Sequence, residues 1–143
     1  MKHKHLTISA LALILMSACT EATGVEPTDL AGTWTATSIV FTSVADPMLT
    51  LDLATEGATM SLTLNADGTY SWAFVFPGEP TENETGTYTV SGNTMTINDS
   101  SQGSPETFTI VRSGDTLTLT LSDMFDFTQG VEEAATMVIV LTH

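Results

Sequence analysis

From Ala58 to Ile97 the chain alternates apolar and polar residues in short runs separated by glycine turns, and this leaves few folds open to it. In the run ATMSLTLN, Met60, Leu62 and Leu64 fall on one face and Thr59, Ser61 and Thr63 on the other. In TYSWAFVF, Tyr70, Trp72, Phe74 and Phe76 share a face. Alternation with a period of two marks a half-buried β-strand. Between the runs, Asn65-Ala66-Asp67-Gly68 and Ser91-Gly92-Asn93 supply tight turns, with glycine available for a positive φ. The pattern continues with Gly86, Tyr88 and Val90, then Met95 and Ile97, then Phe108 and Ile110. It ends with Leu117, Leu119 and Leu121, followed by Met137, Ile139 and Leu141. Upstream, Trp34 to Thr42 reads as a further strand whose apolar residues do not keep to one face. Eight strands result, with β-branched threonine on their outward faces, as suits a pleated half-exposed surface.

The connections carry further information. Tight turns at 65–68, 91–93 and 113–115 alternate with long connections at 43–57, 77–84, 98–106 and 122–134. Successive connections of an up-and-down meander lie at opposite ends, so the tight turns gather at one end and the long loops at the other. The expected fold is all-β, an eight-stranded antiparallel up-and-down barrel that is closed at one end and open at the other. A sandwich of the same strands is the alternative. In the first long connection Asp46-Pro47 could start a short helix, whereas Leu49, Leu51 and Leu53 alternate like a strand; the stretch reads as a lid-like segment. The inward residues Met60, Leu62, Tyr70, Trp72, Phe74, Tyr88 and Met95 are candidates to line an apolar pocket, and the alternative is plain core.

The N-terminus reads as an address. Lys2 and Lys4 precede an apolar run from Leu6 to Met16, and small residues Ser17 and Ala18 precede Cys19, the shape of a secretory signal. The apolar run is short of the ~20 residues a spanning helix needs. Met16-Ser17-Ala18-Cys19 resembles the lipobox of bacterial lipoproteins, most of which carry Leu where Met16 stands. That resemblance implies cleavage before Cys19 and acylation of its thiol. It divides the chain into a signal peptide at 1–18, a lipidated tether at 19–29 and a barrel domain at 30–143. Cys19 is the only cysteine, so an internal disulfide is impossible. Thr20 after the cysteine resembles an outer-membrane sorting signal of the enteric type, which implies a cell-envelope location facing the periplasm or the exterior.

Charge narrows the partners. The chain has 17 acidic residues and a formal net charge of −14, and loss of residues 1–18 leaves Arg112 as its sole Lys or Arg. Such a surface repels phosphate backbones, which excludes nucleic acid as a partner. Charge would not hold it on an anionic bilayer either, so the membrane contact falls to the acyl chains. Asp46, Asp52, Glu56, Glu79, Glu82, Glu84, Asp99, Glu106, Asp123, Asp126, Glu132 and Glu133 all read as residues of the long loops, which makes the open end acidic. A calcium site or a dock for a cationic ligand would use them; acids that simply avoid strands would look the same. Asp123-Met124-Phe125-Asp126-Phe127 could touch a ligand or plug the mouth. Past residue 18 there is no lysine, and His143 is the only histidine. Neither a Ser-His-acid triad nor zinc spacing nor a phosphate loop can be assembled. The expectation is a non-enzymatic monomer with no cofactor and no metal.

Gly32-x-Trp34 resembles the Gly-x-Trp motif of lipocalins. Leu62-x-Leu64-Asn65-Ala66-Asp67-Gly68-Thr69-Tyr70, followed by Gly86-Thr87-Tyr88-Thr89-Val90-Ser91-Gly92-Asn93, resembles the small lipocalin-like domain lipoproteins of bacteria, with the likeness running from Leu30 to His143. It implies the fold, a lipocalin-like barrel, and is a poor guide to ligand; the first functional expectation is a barrel that could bind a small apolar ligand. Lipocalins place an arginine near the end of the last strand, packed on the motif tryptophan; here that strand has only His143. Arg112, expected at the closed end, is the candidate to cap Trp34 instead, and the alternative is an ion pair with Asp115. A second functional expectation is a protein-interaction or inhibitor module whose acidic loops engage a cationic partner.

Overall fold

The computed structural model describes residues 25–143 apart from Gln102 and Gln129. The expected signal peptide at 1–18 and the expected lipidation site Cys19 lie outside the described residues. Strands β1 (Gly32–Ser43), β3 (Thr59–Leu64), β4 (Thr69–Val75), β5 (Glu82–Ser91), β6 (Thr94–Asp99), β7 (Glu106–Ser113), β8 (Thr116–Asp126) and β9 (Glu132–Thr142) pair antiparallel in sequence order. β9 returns to β1, with Ile39 opposite Ile139, and closes an eight-stranded barrel. The lid-like segment contributes a short strand, β2 (Thr50–Asp52). It pairs with the second half of β1 where β3, paired with the first half, has left that edge. The alternation of Leu49, Leu51 and Leu53 was therefore a strand signal.

The mixed faces of the first strand have a local cause. The β1–β9 register shifts between Ala36 and Ser38, a bulge at Thr37 whose hydroxyl donates to the Val140 carbonyl. One extra residue reverses the parity of a strand. Trp34 is thus buried before the bulge, and Ile39, Phe41 and Ser43 are buried after it.

The strands run further than the sequence indicated. β8 and β9 remain paired out to Asp126 opposite Glu132, so the stretch 122–134 is mostly hairpin rather than loop. β5 already begins at Glu82, β6 reaches Asp99 and β7 starts at Glu106. Tight turns still join β3–β4, β5–β6 and β7–β8 at one end, and the longer connections lie at the other. The closed half holds the core. Trp34, Leu62, Leu64, Met95, Phe108, Ile110, Leu117, Leu119, Ile139 and Leu141 are all fully buried. Each contributes roughly 1.5–3 kcal/mol by leaving water.

Residues 25–29, read above as the end of the tether, pack on the barrel. Val25 touches the core, and Pro27–Leu30 form the one-turn helix α1, whose Leu30 is fully buried. The Leu30 carbonyl accepts a 2.8 Å hydrogen bond from Trp34 Nε1, which seats the tryptophan beneath the helix.

Candidate functional site

Strand parity builds the site. Tyr70, Trp72 and Phe74 on β4, Met60 on β3, Ile97 on β6, Leu121 on β8, and Met137 and Ile139 on β9 point to the barrel interior. In the closed half these rows meet and fill the space. In the open half they part around a cavity of about 310 Å³. Ile39, Phe41, Leu53, Met60, Trp72, Phe74, Leu121, Met137 and Ile139 form its apolar wall. Phe41 is held in place by stacking on Phe125 at 4.1 Å, and Phe125 meets Phe127 edge-on at 4.9 Å. The aromatics at the end of β8 and just beyond it thus buttress the cavity wall.

The upper ring of the cavity is acidic, formed by Glu82, Glu84, Glu106 and Asp123. All four were expected in loops, and the structure puts them in strands. Glu82 and Glu84 continue the inward parity of Gly86 and Tyr88 on β5. Glu106 continues that of Phe108 and Ile110, and Asp123 that of Leu119 and Leu121. Burial, and then the charges of Asp99, Glu106 and Glu82, push the Glu84 carboxyl above the usual carboxylate range. Glu106 is raised in the same way, by desolvation first and by Asp123 and Asp99 second. Asp52, also expected at the mouth, instead braces β2. Its carboxylate accepts from the Ile39 and Ala54 amides and the Ser38 hydroxyl, the Ile39 bond being the main reason its carboxyl is held below the usual range.

Beside the cavity lies a recess of about 20 Å³ lined by Tyr70, Glu84, Ile97, Asp99, Ser104 and Glu106. Tyr70 is 2 % exposed, and its hydroxyl has no hydrogen-bond partner. Burial, with the charges of Glu84, Asp99 and Glu106, pushes this phenol up to about 12. Gly86 is paired with both Tyr70 and Asp99, and a Cβ there would overlap the Asn98 carbonyl oxygen and press on the Tyr70 ring. Among the described residues, no three His, Cys, Asp or Glu side chains converge as metal ligands do.

At the closed end, Arg112 continues the inward parity of Phe108 and Ile110, and its guanidinium carbon lies 6.0 Å from the Trp34 ring centroid. Its Nε donates to the Gly114 carbonyl across the β7–β8 turn. His143 meets Trp34 edge-on, with ring centroids 5.1 Å apart. Gly32 has φ +143°, and a Cβ there would overlap the His143 ring. These contacts account for the Gly-x-Trp spacing.

Residues 30–129 match the family model of the lipocalin-like domain. The chain belongs to the lipocalin-like domain family. No curated protein and no solved structure matches it. Lipocalin-like barrels commonly bind small hydrophobic ligands and are generally not enzymes.

Three of the seven pocket candidates in this lipocalin-like domain, Met60, Trp72 and Phe74, line the large cavity, and Tyr70 lines the recess. Leu62, Met95 and Tyr88 line neither, because their positions fall toward the closed end, where the rows meet. The Tyr88 hydroxyl shares its proton between the carbonyls of Asn65 at 2.8 Å and Pro27 at 3.2 Å, tying α1 to a tight turn. The acidic ring was missed as part of the interior. Its signal was present in the alternation Glu82, Glu84, Gly86, Tyr88, which reaches back into the stretch 77–84 read as a long connection.

Proposed function

We propose that this lipocalin-like protein is a lipid-anchored, non-enzymatic binding protein of the bacterial cell envelope that takes a small apolar ligand into the open half of its barrel. The cavity of about 310 Å³ carries the reading, since it has an apolar wall and lies within the size range of small-molecule sites. The anchor rests on the sequence Met16-Ser17-Ala18-Cys19, and Thr20 favours the outer membrane. Prodan, a neutral naphthalene dye, should brighten on entering the cavity. A Leu121→Trp variant that fills the space should abolish that signal while keeping the fold. Equal dye binding by the variant would place the ligand elsewhere. Radiolabelled palmitate should label the protein in cells and fail to label Cys19→Ser.

The mouth supports a second reading, a protein-interaction or inhibitor module. Val44, Met48, Met124 and Val131 are exposed around the open end, Met48 to 90 %. Exposed apolar residues beside an acidic ring suit a basic protein partner. Under this reading Met48→Glu with Val131→Glu would block capture of that partner and leave prodan binding intact.

A further inference from the structure

We infer that the ligand is a small organic amine in its protonated form, with its apolar body in the cavity and its ammonium group in the recess beside Tyr70, Glu84 and Glu106. The inference rests on the binding-protein reading above and narrows it to one class of ligand.

Three observations converge. First, the cations of the domain are confined to one end of the barrel. Arg112, the only Lys or Arg beyond residue 18, and His143 both sit on Trp34 at the closed end, whereas Glu82, Glu84, Asp99, Glu106 and Asp123 surround the open half. No lysine or arginine of the domain is therefore placed to neutralise them. Second, the Tyr70 hydroxyl is buried in that same acidic recess with no hydrogen-bond partner. A buried polar group is nearly always paired, so this one calls for an outside group. An ammonium donates three hydrogen bonds, which the phenol oxygen and two carboxylates can accept. Third, the sizes match. The recess of about 20 Å³ admits one group the size of a water molecule or an ammonium, since roughly 10–15 Å³ suffices for a water. The recess and the cavity share Glu84, Ile97 and Glu106, so one molecule can occupy both.

The alternatives fit less well. The carboxylates do not converge as metal ligands do among the described residues. An anionic amphiphile such as a fatty acid would meet like charge at every rim position. A neutral ligand would leave Glu84 and Glu106 unrelieved, and burial together with Asp99, Asp123 and Glu82 already disfavours their charged forms. Trp72 and Phe74 on the cavity wall offer aromatic faces to the apolar body.

The test compares phenethylamine with phenethyl alcohol, which differ in the head group alone, by calorimetric titration of the purified full-length chain. The amine is expected to bind at least about tenfold tighter, the size of one charge-assisted hydrogen bond. In Glu84→Gln/Glu106→Gln the preference should fall to about twofold, with affinity for the alcohol retained. Tyr70→Phe should weaken the amine by about threefold and leave the alcohol unchanged. Tyr70→Phe removes an unpaired buried hydroxyl, and the glutamine variant keeps the size of a half-buried and an exposed side chain at the cavity mouth, so both should fold. If prodan binds but the amine shows no preference, the inference falls and the apolar pocket stands. A preference unchanged in the double glutamine variant also overturns it. If none of the three compounds binds, the inference and the binding reading fall together.

Discussion

Tyr70 and Tyr88 are each 2 % exposed, yet their hydroxyls are in opposite situations. That of Tyr88 bonds to two carbonyls and joins the N-terminal turn to the barrel; that of Tyr70 bonds to nothing. Removing a paired buried hydroxyl costs stability, whereas removing an unpaired one relieves a desolvation penalty. Tyr88→Phe is expected to lower the unfolding free energy by about 1–2 kcal/mol, and Tyr70→Phe to leave it unchanged or raise it by up to about 1 kcal/mol. Urea unfolding followed by tryptophan fluorescence reads both. Arg112 presents a similar contrast with its setting. It is exposed, so its contact with Trp34 is an exposed cation–π pair, and Arg112→Ala should cost about 0.5–1 kcal/mol by the same measurement. No loss of stability would reduce the contact to an incidental one.

At the scale of the element, two strands depart from simple alternation, each for a physical reason. β1 carries the bulge at Thr37, which lets one strand present Trp34 to the closed-end core and Phe41 to the cavity. β5 carries Gly86 at an inward position, where the Tyr70 ring on one side and the Asn98 carbonyl on the other leave no room for a methyl group. Gly86→Ala should therefore push β5 from its neighbours and destabilise the barrel by about 1–3 kcal/mol, as overpacking does. A thermal melt would show it, and a wild-type midpoint would mean that the strands can separate without cost. The same substitution should narrow the recess, so any amine preference should weaken along with stability.

For the whole molecule, carboxyls shifted in opposite directions by their surroundings make stability depend on pH in two opposing ways. Glu84 and Glu106 ionise less readily when folded, so the folded chain holds protons that the unfolded chain has released. Their contribution is most favourable below the ordinary glutamate value of 4.5 and declines as pH rises through their raised values. Asp52 ionises more readily when folded. Its contribution is present above the ordinary aspartate value of 3.8 and is lost as pH falls through its lowered one. The melting temperature should thus rise as pH is lowered from neutral toward the glutamate range and fall again once Asp52 protonates. In Glu84→Gln/Glu106→Gln the rise should flatten while the acid-side fall persists. A wild-type profile with no rise below neutral pH would show that the cavity carboxylates ionise as they would in water.

The sequence by itself determined the architecture, because period-two alternation and alternating connection lengths are local properties that a meander turns directly into strands, ends and a mouth. It made Arg112 a candidate neighbour of Trp34 beside the alternative of an ion pair with Asp115, and the tertiary structure places the guanidinium carbon 6.0 Å from the Trp34 ring centroid. Tertiary structure decided what lies inside. Whether an inward residue becomes core or cavity wall depends on how far its strand has run toward the open end. Leu62 and Met95 were therefore indistinguishable in sequence from Met60 and Trp72. The acids of the interior were hidden for a related reason. A glutamate near a proline reads as loop, and only pairing with β4, Glu82 opposite Phe74 and Glu84 opposite Trp72, carries β5 out to Glu82 and turns Glu84 inward. The buried, unpaired hydroxyl of Tyr70 exists only where four strands close around it.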